Sequence, residues 1–265
     1  MSVIVCRPGP PLDGLVRAIT YRAGEQPRTS VEKILPGATT SLWINLNRDE
    51  FRSFGKGVRS APGAMLAGPS SRATVIEFEQ GHAHLSVTFV LGGASGFVAA
   101  PLTLACDEMV PLAFAWGSHG GHLREQVLLA DSPAGMLQVL QDALIKQLVG
   151  PFTPDPAMVA AARALSGGVS VTGVADSLGL LPRTLRRRFT ASVGLTPKRF
   201  SRVQRLQRVV RSLDGRAEVD WAAVAAGHGY ADQPHLADEF RELADVTPSE
   251  YLRSRIDGPN HLRVP

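Results

Sequence analysis

Between residues 171 and 255 the chain states one structural unit twice. A shift of 51 residues superposes Leu185 on Leu236, Phe189 on Phe240, Leu195 on Val246, Thr196-Pro197 on Thr247-Pro248, Phe200 on Tyr251 and Arg202 on Arg253. Upstream of the turn the offset is 50, with Ala175 on Ala225, so the second turn, GHGYADQ, is one residue longer. In the first copy Val171, Val174, Ala175 and Leu178 stand at i, i+3, i+4 and i+7 behind a Ser170 cap, which predicts a short amphipathic helix. Gly179 stops it, and Pro182 opens a second helix whose Leu185 and Phe189 face a core. Each Thr-Pro pair supplies a capping residue followed by proline at the first helical position. Between the copies, TPKRFSRVQRLQRVVRSL predicts one long connecting helix with Phe200, Val203, Leu206, Val210 and Leu213 apolar. Two helix-turn-helix units joined by a helix follow from this pattern.

Charge is segregated in the same way. Residues 1–156 hold 12 Lys+Arg and 13 Asp+Glu, a net of −1, whereas residues 157–265 hold 16 and 11, a net of +5. Ten basic residues and no acidic one lie between Arg183 and Arg211. A merely solvated face mixes signs, so a strip of one sign points to a polyanion, whose phosphates release counterions when neutralised. Counted around the helix from Leu185, Arg186, Thr190, Arg183 and Arg187 fall at about 100° to 200°, the outward face, and Arg188 falls nearer the core edge. In a helix-turn-helix that second helix enters the DNA major groove.

The first half reads differently. VEKIL, SLWINLN, RATVIEFE and HLSVTFVL are short, β-branched and aromatic, and are separated by turn formers such as Pro36-Gly37, Pro62-Gly63 and Gly92-Gly93. Residues 1 to about 115 are therefore expected to be mainly β, a barrel or sandwich, followed by two helices within 120–149. One of these, SPAGMLQVLQDALIKQL, has Ser132 as cap, Pro133 at its first position and a Leu137, Leu140, Leu144, Leu148 stripe that covers the β domain or faces a second copy. GPFTPDP, with three prolines, predicts a stiff connector over 151–156. The expected fold class is α+β: an N-terminal β-rich sensor or dimerisation domain over 1–150, an all-α domain over 157–256, and a flexible tail over 257–265. No run approaches the apolar length of a membrane span, and the N-terminus lacks the pattern of a signal peptide, so a cytoplasmic protein with no membrane partner is expected.

Residues 157 to about 255 resemble the DNA-binding domain of AraC/XylS transcriptional regulators. The matching pieces are VADSLGLLPRTLRRRF, GLTPKRF, the VQRL of the connecting helix, VAAGHGYADQPHLADEF and VTPSEYLRSR. KILPGATTSLWINLN, GAMLAGPSSRATV and VPLAFAWG resemble the amino-terminal domain of one branch of that family. The resemblance implies a transcription regulator that is not an enzyme. Its implied partners are double-stranded DNA, a small-molecule effector or a second subunit for the first domain, and RNA polymerase. It places base-reading positions on Arg183, Thr184, Arg186 and Arg187, and arginine forks suit guanine O6 and N7. The matched positions of the second unit hold Pro234, Ala237 and Asp238, leaving Gln233 and His235 as base contacts there. Thr190, Lys198, Arg199 and Arg202 are the implied phosphate contacts. Asp245 stands where the family usually has glycine.

No other chemistry is complete. His82 and His84 share a strand face, and His119 and His122 lie close together, but a cupin-type site needs an acidic ligand where Val87 and Thr88 stand, so no metal or other cofactor is expected. The competing reading, an N-terminal cupin-like enzyme fused to a DNA-binding domain, would require that set. Cys6 and Cys106 fit no metal or redox spacing. Trp43, Phe78, Phe89 and Trp116 are expected in the core rather than around a ligand.

Overall fold

The computed structural model describes residues 2–24, 30–54, 58–148, 150–216, 218–256 and 260–264. Its first domain is a sandwich of two six-stranded antiparallel sheets. One has the order β1-β2-β9-β4-β7-β10, formed by Ser2–Cys6, Val16–Ala23, Ala83–Phe89, Ser41–Asn45, Ala64–Ala67 and Met109–Pro111. The other has the order β11-β12-β3-β8-β5-β6, formed by Arg255–Ile256, His261–Arg263, Ser30–Ile34, Thr74–Phe78, Glu50–Phe54 and Val58–Pro62. Alternation explains the layers. In β9, Leu85, Val87 and Phe89 point to the helical side, where they are buried with Ile19, Leu42 and Ile44. Their neighbours His84, Ser86 and Thr88 turn to the space between the sheets. The chain passes from β6 to β7 at Gly63, where a side chain would lie 2.8 Å from the backbone of Arg48 and Asp49.

Three helices cover the first sheet, one more than expected: α1 (Leu112–Trp116), α2 (Ser118–Leu128) and α3 (Pro133–Gln147). The extra one is a single short turn that periodicity does not register. Ser132 caps α3 by accepting from the Gly135 amide at 3.1 Å. Leu137, Leu140 and Leu144 are buried in the domain's own core with Leu85 and Phe89, so this stripe covers the β domain.

The second domain is helical: α4 (Pro156–Ser166), α5 (Val171–Ser177), α6 (Pro182–Val193), α7 (Pro197–Ser212), α8 (Trp221–Gly227), α9 (Gln233–Ala244) and α10 (Pro248–Ser254). The repeat is reproduced in detail. Thr196 accepts from the Arg199 amide, and Thr247 forms a reciprocal capping box with Glu250. The turns after α6 and α9 are both left-handed, at Gly194 (φ 85°) and at Asp245 (φ 53°). Glycine adopts that conformation without penalty, whereas Asp245 is held in it by Lys33, whose Nζ donates to its carbonyl at 2.9 Å and its carboxylate at 2.7 Å. Gly194 has a second reason: a Cβ there would meet Pro69 at 2.8 Å and the Leu102 carbonyl at 3.1 Å.

The domains are stitched together. Ala38 belongs to the core of the first helix-turn-helix, and Leu35 and Leu262 to that of the second. Gln207 donates to the Pro36 carbonyl at 2.7 Å and to Asn260 Oδ1 at 2.9 Å, and the Ala73 amide donates to the Leu243 carbonyl at 2.8 Å. The expectation of a flexible tail is therefore corrected. Residues 257–259 and 265 lie outside the described residues, but β12 pairs with β3 through His261 to Arg263, and Leu262 is buried under α7. Polar, Pro-Gly-containing sequence read as a tail because its partner strand lies some 230 residues away. If β12 is structural, Leu262→Ala should cost about 2–5 kcal/mol in denaturant unfolding; a free tail would show a change within about 0.5 kcal/mol.

Candidate nucleic-acid interface and interior cavity

The ten cations of the basic strip divide into two groups. Four are used inside the protein. Arg188 pairs with Asp155, the N-cap of α4, at 2.7 Å; Arg208 donates to the Ser166 carbonyl; Arg202 and Arg205 grip Glu239 of α9 at 2.9 and 2.6 Å. The other six, Arg183, Arg186, Arg187, Lys198, Arg199 and Arg211, are exposed and make no ion pair among the described residues. Arg183, Arg186 and Arg187 share the outward face of α6 behind buried Leu185 and Phe189, as their spacing requires. Thr184 is half-buried beside them. Lys198 and Arg199 stand in the first turn of α7.

Two of the side chains expected from sequence at phosphates, Thr190 and Arg202, are turned to or engaged with the protein itself. Thr190 turns its hydroxyl inward, where Oγ1 is buried with no hydrogen-bond partner among the described residues. Arg202 is committed to two carboxylates, donating to Glu239 at 2.9 Å and to Glu242 at 2.9 Å. Helix periodicity locates a face but not an acid on another helix, so an arginine that looks outward from α7 can still be the inner partner of α9.

The matched helix of the second unit, α9, is poor in outward positive charge. Gln233 is exposed at the first position of α9, and Asp232 caps that helix through the His235 amide at 2.8 Å. His235 is exposed, but its Nδ1 accepts from the Ala231 amide at 3.2 Å and its ring lies edge-on to Tyr230, leaving Nε2 outward. Asp238 points to solvent and, among the described residues, pairs with Arg241 at 3.2 Å. Beneath this surface Glu239 is buried. Burial would raise its pKa, but hydrogen bonds from Arg205 and Arg202 outweigh it and hold the carboxyl below its ordinary range. Arg205 also lies over the Tyr230 ring at 4.3 Å.

The two sheets of the first domain and the loops at their edge line a partly open cavity of about 710 Å³. Trp43 and Met65 of one sheet and Phe51, Ile76 and Phe78 of the other make its wall mainly apolar, and Arg59 and Glu108, paired at 3.0 Å, stand at its edge. Trp43 and Phe78 thus line a cavity, whereas Phe89 and Trp116 are core as expected. His84 lies against Trp43 with ring centres 4.7 Å apart, and His82 meets Phe78 at 5.0 Å. Burial pushes their pKa values down to about 4 for His82 and about 3 for His84, so both are neutral at physiological pH. Among the described residues no group of three or more His, Cys, Asp or Glu side chains is placed to hold a metal ion, and no helix is long and apolar enough to cross a membrane.

A long helix joining two helix-turn-helix units, one with an arginine face that makes no ion pair among the described residues, is the architecture of a DNA-binding domain. Residues 160–254 match the family model described as a helix-turn-helix domain. No curated protein matches the chain. Among solved structures, ToxT from Vibrio cholerae aligns over 88% of this chain and 98% of its own at 12% identity, with a TM-score of 0.47. Wild-type ToxT from the same organism with bound unsaturated fatty acid aligns over 88% and 94% at 9% identity and 0.44. The AraC-like transcriptional activator CuxR aligns over 78% and 86% at 14% identity and 0.24.

The Glu239 clamp can be checked directly. Arg205→Met removes charged hydrogen bonds from a buried carboxylate and should cost about 1.5–3 kcal/mol at neutral pH. The folded pKa of Glu239 is depressed, so its contribution is present above the unfolded value and lost as pH falls through the folded one. Denaturant unfolding across the acid range should therefore show the wild-type advantage over Arg205→Met shrinking as Glu239 protonates.

Proposed function

We propose that the protein is a sequence-specific regulator of transcription in which α6 does most of the base reading and the cavity of the first domain binds a small, mainly apolar effector. The observation that carries the DNA reading is the division of the basic strip: among the described residues Arg183, Arg186 and Arg187, which face outward from α6, make no ion pair, while Arg188 of α6 and Arg202 and Arg205 of α7 are paired inside the protein. Arg183, Arg186 and Arg187, with Thr184 beside them, meet base edges in the major groove, and Lys198 and Arg199 meet phosphates. At α9 the polar groups facing outward are Gln233 and the Nε2 of His235, with Asp238 opposing the DNA backbone. The effector reading rests on a partly open cavity of ligand size with a mainly apolar wall.

Titration of the full chain against its selected DNA site and against scrambled DNA, at one fixed salt concentration, tests the assignment. Arg187→Ala should lose about 1–3 kcal/mol against the selected site and relax preference at one base pair, while affinity for scrambled DNA changes little. Lys198→Ala should weaken both DNAs alike and flatten the salt dependence by about one counterion. Asp238→Ala should leave affinity unchanged or raise it. A site-specific loss for Asp238→Ala beside no loss for Arg187→Ala would reverse the roles of the two heads.

A further inference from the structure

The loop between β7 and β8 belongs to the first domain but is fastened to the second. Pro69 lies against Gly194, in the turn that leads from α6 into α7, where a Cβ would meet the proline ring at 2.8 Å. Four residues on, the Ala73 amide donates to the Leu243 carbonyl of α9 at 2.8 Å. Between these anchors Asp107 holds the loop, its carboxylate accepting from the Ser71 amide at 2.6 Å and from the Ser71 hydroxyl at 2.9 Å. Arg72 is thus carried by the β sandwich yet fixed in place relative to α7. It borders a polar cleft of about 270 Å³ together with Arg199, Arg202, Asp107 and Glu242. Three guanidiniums therefore stand against two carboxylates. Both carboxylates are engaged within the protein, Asp107 by Ser71 and Glu242 by Arg202 at 2.9 Å. Arg72 and Arg199 are exposed and, among the described residues, make no ion pair.

We propose that Arg72 is a DNA-contacting residue of the first domain: beside Arg199 it meets the phosphate backbone of DNA held by α6, so that the nucleic-acid interface runs past the helical domain onto the β sandwich. The inference rests on the DNA reading above and adds to it a contact outside both helix-turn-helix units. Two like charges brought to one cleft from two domains repel each other, and a row of phosphates offers each its own partner. The guanidinium fork suits a phosphate, which accepts two parallel N–H bonds from it. A phosphate is favoured over a base edge because Arg199 stands in the first turn of α7, off the face of α6 that reads the groove. That turn also carries Lys198 and the free amides of a helix start, which favour negative charge.

Binding of the full chain to its selected site and to scrambled DNA, followed by fluorescence anisotropy between 50 and 200 mM salt, tests the contact. Arg72→Ala, whose folding is checked by thermal unfolding, should weaken both DNAs alike, with a loss about three to four times larger at the low-salt end than at the high, the signature of one released counterion. Arg72→Lys keeps the charge and should keep the salt slope. Arg7→Ala removes another exposed cation of the first domain, but Arg7 follows β1, at the opposite edge of its sheet from β10, and should change neither affinity nor slope. An unchanged slope in Arg72→Ala beside a flattened one in Lys198→Ala overturns the contact and leaves the DNA reading standing. An equal effect of Arg7→Ala also overturns it, by reducing the role of Arg72 to net charge. Failure of the unaltered chain to bind either DNA at the lowest salt removes the DNA reading and this inference with it.

Discussion

The structure depends on how α7 is buried. Its first turns place Phe200 and Val203 in the core of one helix-turn-helix, and its later turns place Leu206, Val209 and Val210 in the core of the other. One rigid rod of sixteen residues thus belongs to two cores at once. The distance and rotation between the two helix-turn-helix units are set by helix geometry rather than by a flexible tether. Gln207, on the same helix, reaches the Pro36 carbonyl, so the rod also receives the β domain.

Charge follows from that arrangement. A helix packed on both sides has little free surface, and the cations along it are sorted by what lies opposite them. Arg202 and Arg205 face α9 and neutralise a carboxylate that burial alone would leave costly. Lys198 and Arg199 precede the packed segment and remain outside. The repeat is consequently symmetric in backbone and asymmetric in electrostatics: the first recognition helix shows arginines where the second shows Pro234, Ala237 and Asp238. Two copies of one fold can share a core pattern while their outward faces diverge freely, because the core constrains only the inward positions.

The same economy joins the two domains. Leu35 both lines the cavity and sits in the core of the second helix-turn-helix, while Lys33, two residues earlier, holds the left-handed turn at Asp245. Strand β3 therefore forms a wall of the cavity on one side and part of the DNA-binding domain's packing on the other. β12, which follows α10, pairs with β3 and ties that domain to the sheet a second time. Leu35 thus stands between the cavity and the helical core.

Periodicity by itself determined the helical half. A 3.6-residue repeat of apolar positions, Thr-Pro starts and glycine stops are local signals, and α5 through α10 lie where they fall, including the left-handed turn that Asp245 shares with Gly194. The arginine face of α6 was legible for the same reason, since angle around a helix is a property of spacing. Strands β3, β4, β8 and β9 were readable from their β-branched and aromatic runs, but their order was not, because register is fixed by residues far apart in sequence. Only the tertiary structure decided that Thr190 turns inward, that Arg202 belongs to Glu239 and Glu242, that Trp43 and Phe78 border an open space while Phe89 and Trp116 are packed, and that Leu262 closes a core begun at Leu35. Each of these turns on what stands across a gap, and a sequence specifies the two sides of a contact without stating that they meet.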